Sequence, residues 1–495
     1  MARWTEDYCG LKGDGMKPEK IIGARKRAWA SWMLLTLFFI GISSWVHADV
    51  SDVLLKFYPY ITAGEQYSNN ILLSPNATKL DDYITTVTPG LRFFELKPGA
   101  YGIDLDAFGG YNYYAKNNDL SYWSAAGRLN SWYALTPQLS FVLRDYLIRS
   151  DAARENIYQS QNTYNALGQF IGNTQPNQYL VSTIRGVQAI YFRNVVEPSL
   201  EYRFGRENLF TLLYRNNIYR NENPLFENSM ENTLNPRLAY WFDIKNGVSL
   251  DYRLTLNTYQ VSPDQLVNAV TPRYTYRFDP RTSVFGQYRF EYQDFQSPGV
   301  DYYVHNPSVG IEYLFSPTLT GVLQGGYYWQ IPTQGSRSEG PFYNLTLAQR
   351  TPNTQYMLSL QGGYTEDYIT AQNLGFTKNY SGYGTIQHWL TQRLSIRVTG
   401  SMYRYLYSNN NQKDWVWNVA AGPSYLLFRW MEISLAASYR GDNSNISTSD
   451  YTEFRAMFFI TLFRPGYRPG MMGGPAYRPG PMGGPYAPGI GGPGY

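Results

Sequence analysis

The chain has a single cysteine, Cys9, close to its start. Intrachain disulfides, Cys-based zinc sites and Cys nucleophiles are therefore excluded from the exported portion. Histidine is almost as scarce, with His47, His305 and His388 making up all 3. Neither His305 nor His388 sits in a Gly-x-Ser-x-Gly or His-Glu-x-x-His frame. Neither a Walker loop nor EF-hand spacing occurs. No catalytic residue, metal site or cofactor is assigned on these grounds. A net charge of +4 over 495 residues gives no support to nucleic-acid binding. Long apolar runs are also missing apart from Trp32–Ile40. That run follows Lys17, Lys20, Arg25, Lys26 and Arg27 and precedes Val46-His47-Ala48, a Sec-type signal peptide with Met16 as an alternative start. It is too short for a comfortable membrane helix, and the negative mean hydropathy excludes a helical membrane protein.

Aromatics are abundant, at 17% with 47 Tyr and 12 Trp, far above what a soluble core needs. Rings with an apolar body and a polar tip settle at lipid–water boundaries. Their arrangement is periodic. Val248, Leu250, Tyr252, Leu254 and Leu256 interleave with Ser249, Asp251, Arg253, Thr255 and Asn257. Met431, Ile433, Leu435, Ala437 and Tyr439 interleave with Glu432, Ser434, Ser438 and Arg440 in the same way. Successive strand side chains point to opposite faces, so each segment has one oily and one wet face. Repeated between residues 49 and 463 behind a signal peptide, the pattern predicts an all-β, antiparallel transmembrane barrel in a Gram-negative outer membrane.

Short turns alternate with longer polar loops, which predicts about 18 to 20 strands. Expected turns include Leu135–Gln138, Lys245–Gly247, Asp279–Thr282 and Leu390–Gln392; expected loops include Glu65–Asp82, Ser150–Arg185 and Asp442–Ser449. Motifs beginning at Pro198, Pro236, Pro272 and, more loosely, Pro307 recur roughly every 36 residues, one hairpin each. A β-propeller has a similar repeat length but no lipid-type alternation. Loop Ser150–Arg185 reads as a surface loop, with inward folding as the alternative. Beyond Phe463 the composition changes to Pro/Gly-rich tandem repeats, so residues 464–495 are expected to be an extended periplasmic tail. The predicted organisation is signal peptide 1–48, barrel 49–463 and tail 464–495.

On the wet faces the alternation puts Asp104, Asp106, Glu201, Arg203, Asp251, Arg253, Arg273, Arg277, Arg289, Glu291, Glu312, Arg397 and Glu432. A basic residue at mid-membrane on the lipid face would cost about 2–4 kcal/mol, which forces these charges inward as candidate lumen-lining groups. They either line a hydrated passage or pair across strands and hold the wall. Inward aromatics Phe108, Tyr328, Tyr403 and Tyr405 are candidates for a sugar-stacking path.

Two stretches carry a family resemblance. Glu65-Gln66-Tyr67-Ser68-Asn69-Asn70-Ile71, followed by Asp82-Tyr83-Ile84-Thr85-Thr86-Val87-Thr88-Pro89-Gly90-Leu91, resembles the β-barrel porin type 2 proteins. The likeness is clearest over about residues 55–95 and thinner to Phe463. It implies an outer-membrane barrel, some members being tied to exopolysaccharide and exosortase loci, and it supplies no catalytic set. The Pro/Gly tail departs from the pattern in which the closing strand ends the chain.

The expected function is an aqueous porin-like channel, serving exopolysaccharide export or small-solute diffusion. Its expected partners are outer-membrane lipid, the barrel assembly machinery, polysaccharide or small polar solutes, and a periplasmic protein at the tail. The alternatives are a closed barrel acting as a docking anchor and, further off, a hydrolase using His305.

Overall fold

A computed structural model describes residues 56–97, 99–151, 186–205, 207–367, 375–407 and 411–465, together with the backbone of 161–164 and 170–174. The predicted signal peptide and nearly all of the predicted tail lie outside the described residues.

Alternation of apolar and polar side chains gives strands of 12 to 16 residues around the wall. In chain order they are β1 (Phe57–Ser68), β2 (Asp82–Lys97), β3 (Tyr101–Tyr114), β4 (Tyr122–Ala134) and β5 (Leu139–Asp151). A small hairpin follows, β6 (Gln161–Tyr164) with β7 (Phe170–Thr174). The wall resumes with β8 (Ile190–Phe204), β9 (Asn208–Asn221), β10 (Ser229–Trp241), β11 (Asn246–Tyr259), β12 (Gln265–Asp279), β13 (Thr282–Phe295) and β14 (Tyr302–Ser316). It continues through β15 (Leu319–Pro332), β16 (Ser338–Arg350), β17 (Thr354–Asp367), β18 (Gly375–Trp389) and β19 (Leu394–Tyr407). The last three are β20 (Lys413–Phe428), β21 (Met431–Ser444) and β22 (Tyr451–Phe463).

Each wall strand pairs antiparallel with its neighbour in sequence, and β5 pairs with β8 across the small hairpin. The sheet closes where β1 meets β22, with Tyr60 opposite Phe463 and Ser68 opposite Arg455. The result is a closed 20-stranded antiparallel barrel, at the upper end of the expected range. Closure leaves no open edge for another chain to pair with. Tight turns occupy one end of the barrel and longer loops the other, so the loop end is extracellular by the bacterial rule. β1 begins and β22 ends at the turn end.

Turn chemistry is local. At the β10–β11 turn the Asp243 carboxylate accepts from the Asn246 side-chain amide at 2.8 Å and from the backbone N–H of Lys245 and Asn246 at 2.6 and 2.8 Å. Those bonds hold its pKa below the ordinary carboxylate value. The turn gains stability while Asp243 is ionised and loses it as pH falls through that lowered value. Gly205, at φ +63°, supplies the left-handed residue that ends β8.

The two faces of the wall differ sharply. Leu250, Tyr252 and Leu256 on β11, and Leu435 and Tyr439 on β21, are exposed large apolar groups on one face. Thr255, Asn257, Ser434, Ser438 and Arg440, on the other face of the same strands, are buried. The polar face is the concave one, because side chains two strands apart meet there: Arg253 on β11 reaches Glu291 on β13, and Arg273 on β12 reaches Glu312 on β14.

Candidate functional site: the inner wall and its outer mouth

Strand register places all of the charged candidates on this concave face. Most are engaged with neighbours. Glu291, 0% exposed, accepts from Arg253 Nη2 at 2.9 Å and from Arg289 Nε at 3.0 Å, both on the same Oε2. Arg273 pairs with Glu312 at 2.5 Å while its guanidinium lies 3.6 Å over the Phe285 ring. Asp104 receives a bidentate pair from Arg92, Nε and Nη2 each at 2.7 Å. Arg277 joins Glu207 at 3.0 Å and lies over Trp241. Asp251 accepts from Asn235 at 2.9 Å, Arg397 donates to Gln387 at 2.7 Å, and Glu432 accepts from Ser424 at 2.6 Å. Glu201 and Arg203 stand apart: neither has an ion-pair partner among the described residues, and Arg203 is exposed. The wall therefore contains both paired charges and charges without an ion-pair partner among the described residues.

One of these contacts depends on a glycine. Tyr60 on β1 lies across Gly90 on β2 and donates to Asp106 on β3 at 2.8 Å. A Cβ at Gly90 would stand 2.2 Å from the Tyr60 ring. Gly90→Val should displace Tyr60, break its bond to Asp106 and cost about 1–3 kcal/mol. Chemical-denaturation midpoints in detergent would show the loss, and an unchanged midpoint would contradict this reading.

The aromatic candidates behave differently from a continuous open path. Tyr403, Tyr405 and Tyr407 form a column on β19 with centroid separations of 5.8 and 6.0 Å, but their rings are buried against one another. Tyr328 is also fully buried, in a cluster with Tyr302, Val304 and Phe376. Only Phe108, of the four candidates, offers an exposed ring.

His305 is on the convex, lipid-type face. Its Nδ1 meets Tyr288 Oη at 2.6 Å and its ring packs on Phe290. The same diagonal pairing recurs on neighbouring hairpins, as Tyr214 to Asn232 at 2.7 Å and Tyr252 to Asn268 at 2.9 Å. His305 thus belongs to a repeated outer-wall polar belt. His388 accepts or donates to Thr354 Oγ1 at 2.8 Å near a turn.

Sequence reasoning missed the outer mouth. The β1–β2 loop turns inward: Ile71 packs on Ile84, Tyr114 and Tyr122, and Leu73 packs on Tyr451. Those partners lie on the concave face at the loop end of the wall. Asn70, fully buried, clamps the loop by donating Nδ2–H to the carbonyls of Ser74 and Thr452, at 2.8 and 3.0 Å, and accepting from Ser74 N–H at 2.9 Å. Asn69 accepts from Phe454 N–H at 2.8 Å, and Ser68 donates to Glu453 at 2.5 Å. At the other end, Asp82 accepts from the backbone of Tyr83, Lys116 and Asn117. Ser68-Asn69-Asn70 and Asp82, part of the stretches that carried the family resemblance, are the anchors of this inward loop. The Ser150–Arg185 loop lies largely outside the described residues.

Comparison with known families follows the same lines. Residues 245–463 match the family described as Putative beta-barrel porin 2. The match falls on β11 to β22, whereas the likeness in sequence is plainest in β1 and β2. The chain is an outer-membrane β-barrel whose second half is similar to that family. No curated protein matches it. Among solved structures, the outer membrane protein opdK from Pseudomonas aeruginosa is 9% identical, with 82% of this chain and 99% of that chain covered at a TM-score of 0.38. The FrpB iron transporter from Neisseria meningitidis is 8% identical, with 84% and 83% covered at 0.45. Likeness at that level carries no weight for substrate or mechanism.

Proposed function

We propose that the barrel is an aqueous passage for small polar solutes, selected by lumen charge and by the inward β1–β2 loop. The observation that carries this reading is the polar concave face of a closed 20-stranded wall. Barrels well above eight strands have room for a channel as well as side chains. Selectivity falls to charges that face the lumen without a partner, foremost Glu201 and Arg203; paired charges such as Glu291 hold the wall. Arg203→Glu should move the zero-current potential in a salt gradient toward cation preference. An unmoved potential would take Arg203 off the conduction path. Liposome swelling with sugars of graded size tests the passage itself, and swelling no faster than protein-free liposomes would refute it.

Export of a polysaccharide is the narrower form of this reading. The family's genomic company motivates it, but the buried Tyr403–Tyr405–Tyr407 column lends it little support. A second reading, a closed anchor that docks periplasmic proteins through its tail, is favoured by the inward loop and the many paired wall charges. Capture of a periplasmic partner by the Tyr467–Tyr495 peptide, with no solute flux, would support it. A hydrolytic role for His305 gains nothing from its place on the outer wall, and His305→Ala should leave flux unchanged. The barrel assembly machinery is the expected partner for insertion.

A further inference from the structure

The extracellular rim carries several cations, and three of them have a carboxylate beside them. Lys116 is joined to Asp81, Arg149 to Glu222 at 2.7 Å, and Arg337 to Glu339 at 2.8 Å. A group on β18, β19 and β20 brings three cations together without one. Lys378 stands opposite Leu406, and Leu406 stands opposite Lys413, so the two lysines flank one residue of the middle strand. Arg404 lies two residues along that same strand. Adjacent strands are about 4.8 Å apart, which confines the three cationic groups to a patch about 10 Å across.

Alternation turns all three outward. Their neighbours Thr377, Tyr403, Tyr405 and Asp414 are buried on the concave face, while Arg404 and Lys413 are exposed. None of the three has a carboxylate partner among the described residues. Lys378 Nζ donates only to the backbone carbonyl of Glu339, at 2.9 Å, and that carboxylate is already taken by Arg337. Arg404 is set over the indole of Trp415, 5.2 Å from its centroid, and Trp415 is itself an exposed outward ring. Below them on the same face come Tyr380, Trp417 and then Val398, Val419 and Ile386, aromatic giving way to aliphatic. The patch therefore sits where the hydrocarbon layer meets its headgroups, on the loop side of the barrel.

Unpaired cations placed there repel one another unless an anion lies between them. An Arg held flat over an aromatic ring keeps its outer N–H groups free for a phosphate or carboxylate oxygen. We propose that Lys378, Arg404 and Lys413 form a binding site for the phosphorylated glycolipid of the outer leaflet. Its sugar phosphates rest between the three cations, and its acyl chains lie along the aliphatic wall beneath Trp415 and Trp417. The site rests on the outer-membrane placement of the barrel and is independent of whether the lumen conducts.

The test uses the full-length protein, folded in a neutral detergent, and native mass spectrometry against defined lipids. Bis-phosphorylated lipid A should bind at least about ten times more tightly than its dephosphorylated form, as expected for lost charge-assisted contacts. The triple variant Lys378→Gln/Arg404→Gln/Lys413→Gln should abolish that difference while keeping the heat-modifiable mobility of a folded barrel and the wild-type conductance. If the triple variant does not fold, the single variant Lys413→Gln should still weaken lipid A binding, and Lys413→Arg should preserve it. Equal binding of the two lipid forms by the wild type would overturn the proposal. So would equal binding of phosphatidylglycerol, or displacement by millimolar inorganic phosphate, which would mark a general anion patch.

Discussion

Glu453→Gln should destabilise the barrel by about 3–5 kcal/mol, the usual cost of leaving a buried charge without its partner. Glu453 sits at the closing seam. It pairs with Arg440 and with Arg455, the latter at 2.8 Å, and accepts from Ser68 on β1 at 2.5 Å. The three charged side chains are 5% exposed or less. Losing the carboxylate leaves two guanidinium groups buried on one side of the seam that joins the ends of the chain. Glu222→Gln makes the matched control, because its pair with Arg149 is solvent-exposed and worth no more than about 1 kcal/mol. The temperature at which the compact electrophoretic form is lost would separate them, with Glu453→Gln falling far below both wild type and Glu222→Gln. Similar temperatures for all three would show that the seam cluster contributes little.

Asn70→Ala should release the β1–β2 loop while leaving the wall closed. Its side chain makes three hydrogen bonds that no water can replace without entering a buried site. Each buried backbone group left unpaired costs about 1–3 kcal/mol, comparable with the packing of Ile71 and Leu73 that holds the loop inward. Amide exchange over residues 70–80 should accelerate, and channel current should become larger and noisier. Faster exchange without a change in current would place the loop beside the lumen and not across it. Unchanged exchange would show that the apolar contacts alone are sufficient.

The wall was legible in the sequence for a simple physical reason. Lipid outside and polar groups inside impose a period of two on every strand, and the tight turns between them demand Asp, Asn, Gly and Pro. Leu250 against Asp251 on β11, or Leu435 against Ser434 on β21, announces its face without any knowledge of its neighbours. Charges such as Arg253 and Glu291 could be assigned to a face for the same reason. Their pairing could not, because Arg253 reaches over β12 to Glu291 on β13, and local patterning is blind to that step.

The mouth was harder to read. Glu453 and Arg455 follow the alternation of β22, yet nothing nearby in sequence reveals that Ser68, 385 residues from Glu453, lies against them. The inward turn of the first loop depends on Asn70 reaching Thr452, another contact between the loop after β1 and the last strand. A polar loop with a short apolar run, Ile71-Leu72-Leu73, was the available signal. Apolar side chains in a loop need a surface to cover, and here the rim of the concave wall provides it. His305 shows the opposite case. The histidine weighed for a hydrolase is turned outward to Tyr288 by strand geometry.

The most direct test of a water-filled cylinder is electrical. Purified full-length protein in a planar lipid bilayer should give discrete current steps, linear with voltage and proportional to the salt concentration. A preparation that runs as a folded barrel yet passes no current, in wild type and in Asn70→Ala alike, would contradict the passage and leave a sealed anchor.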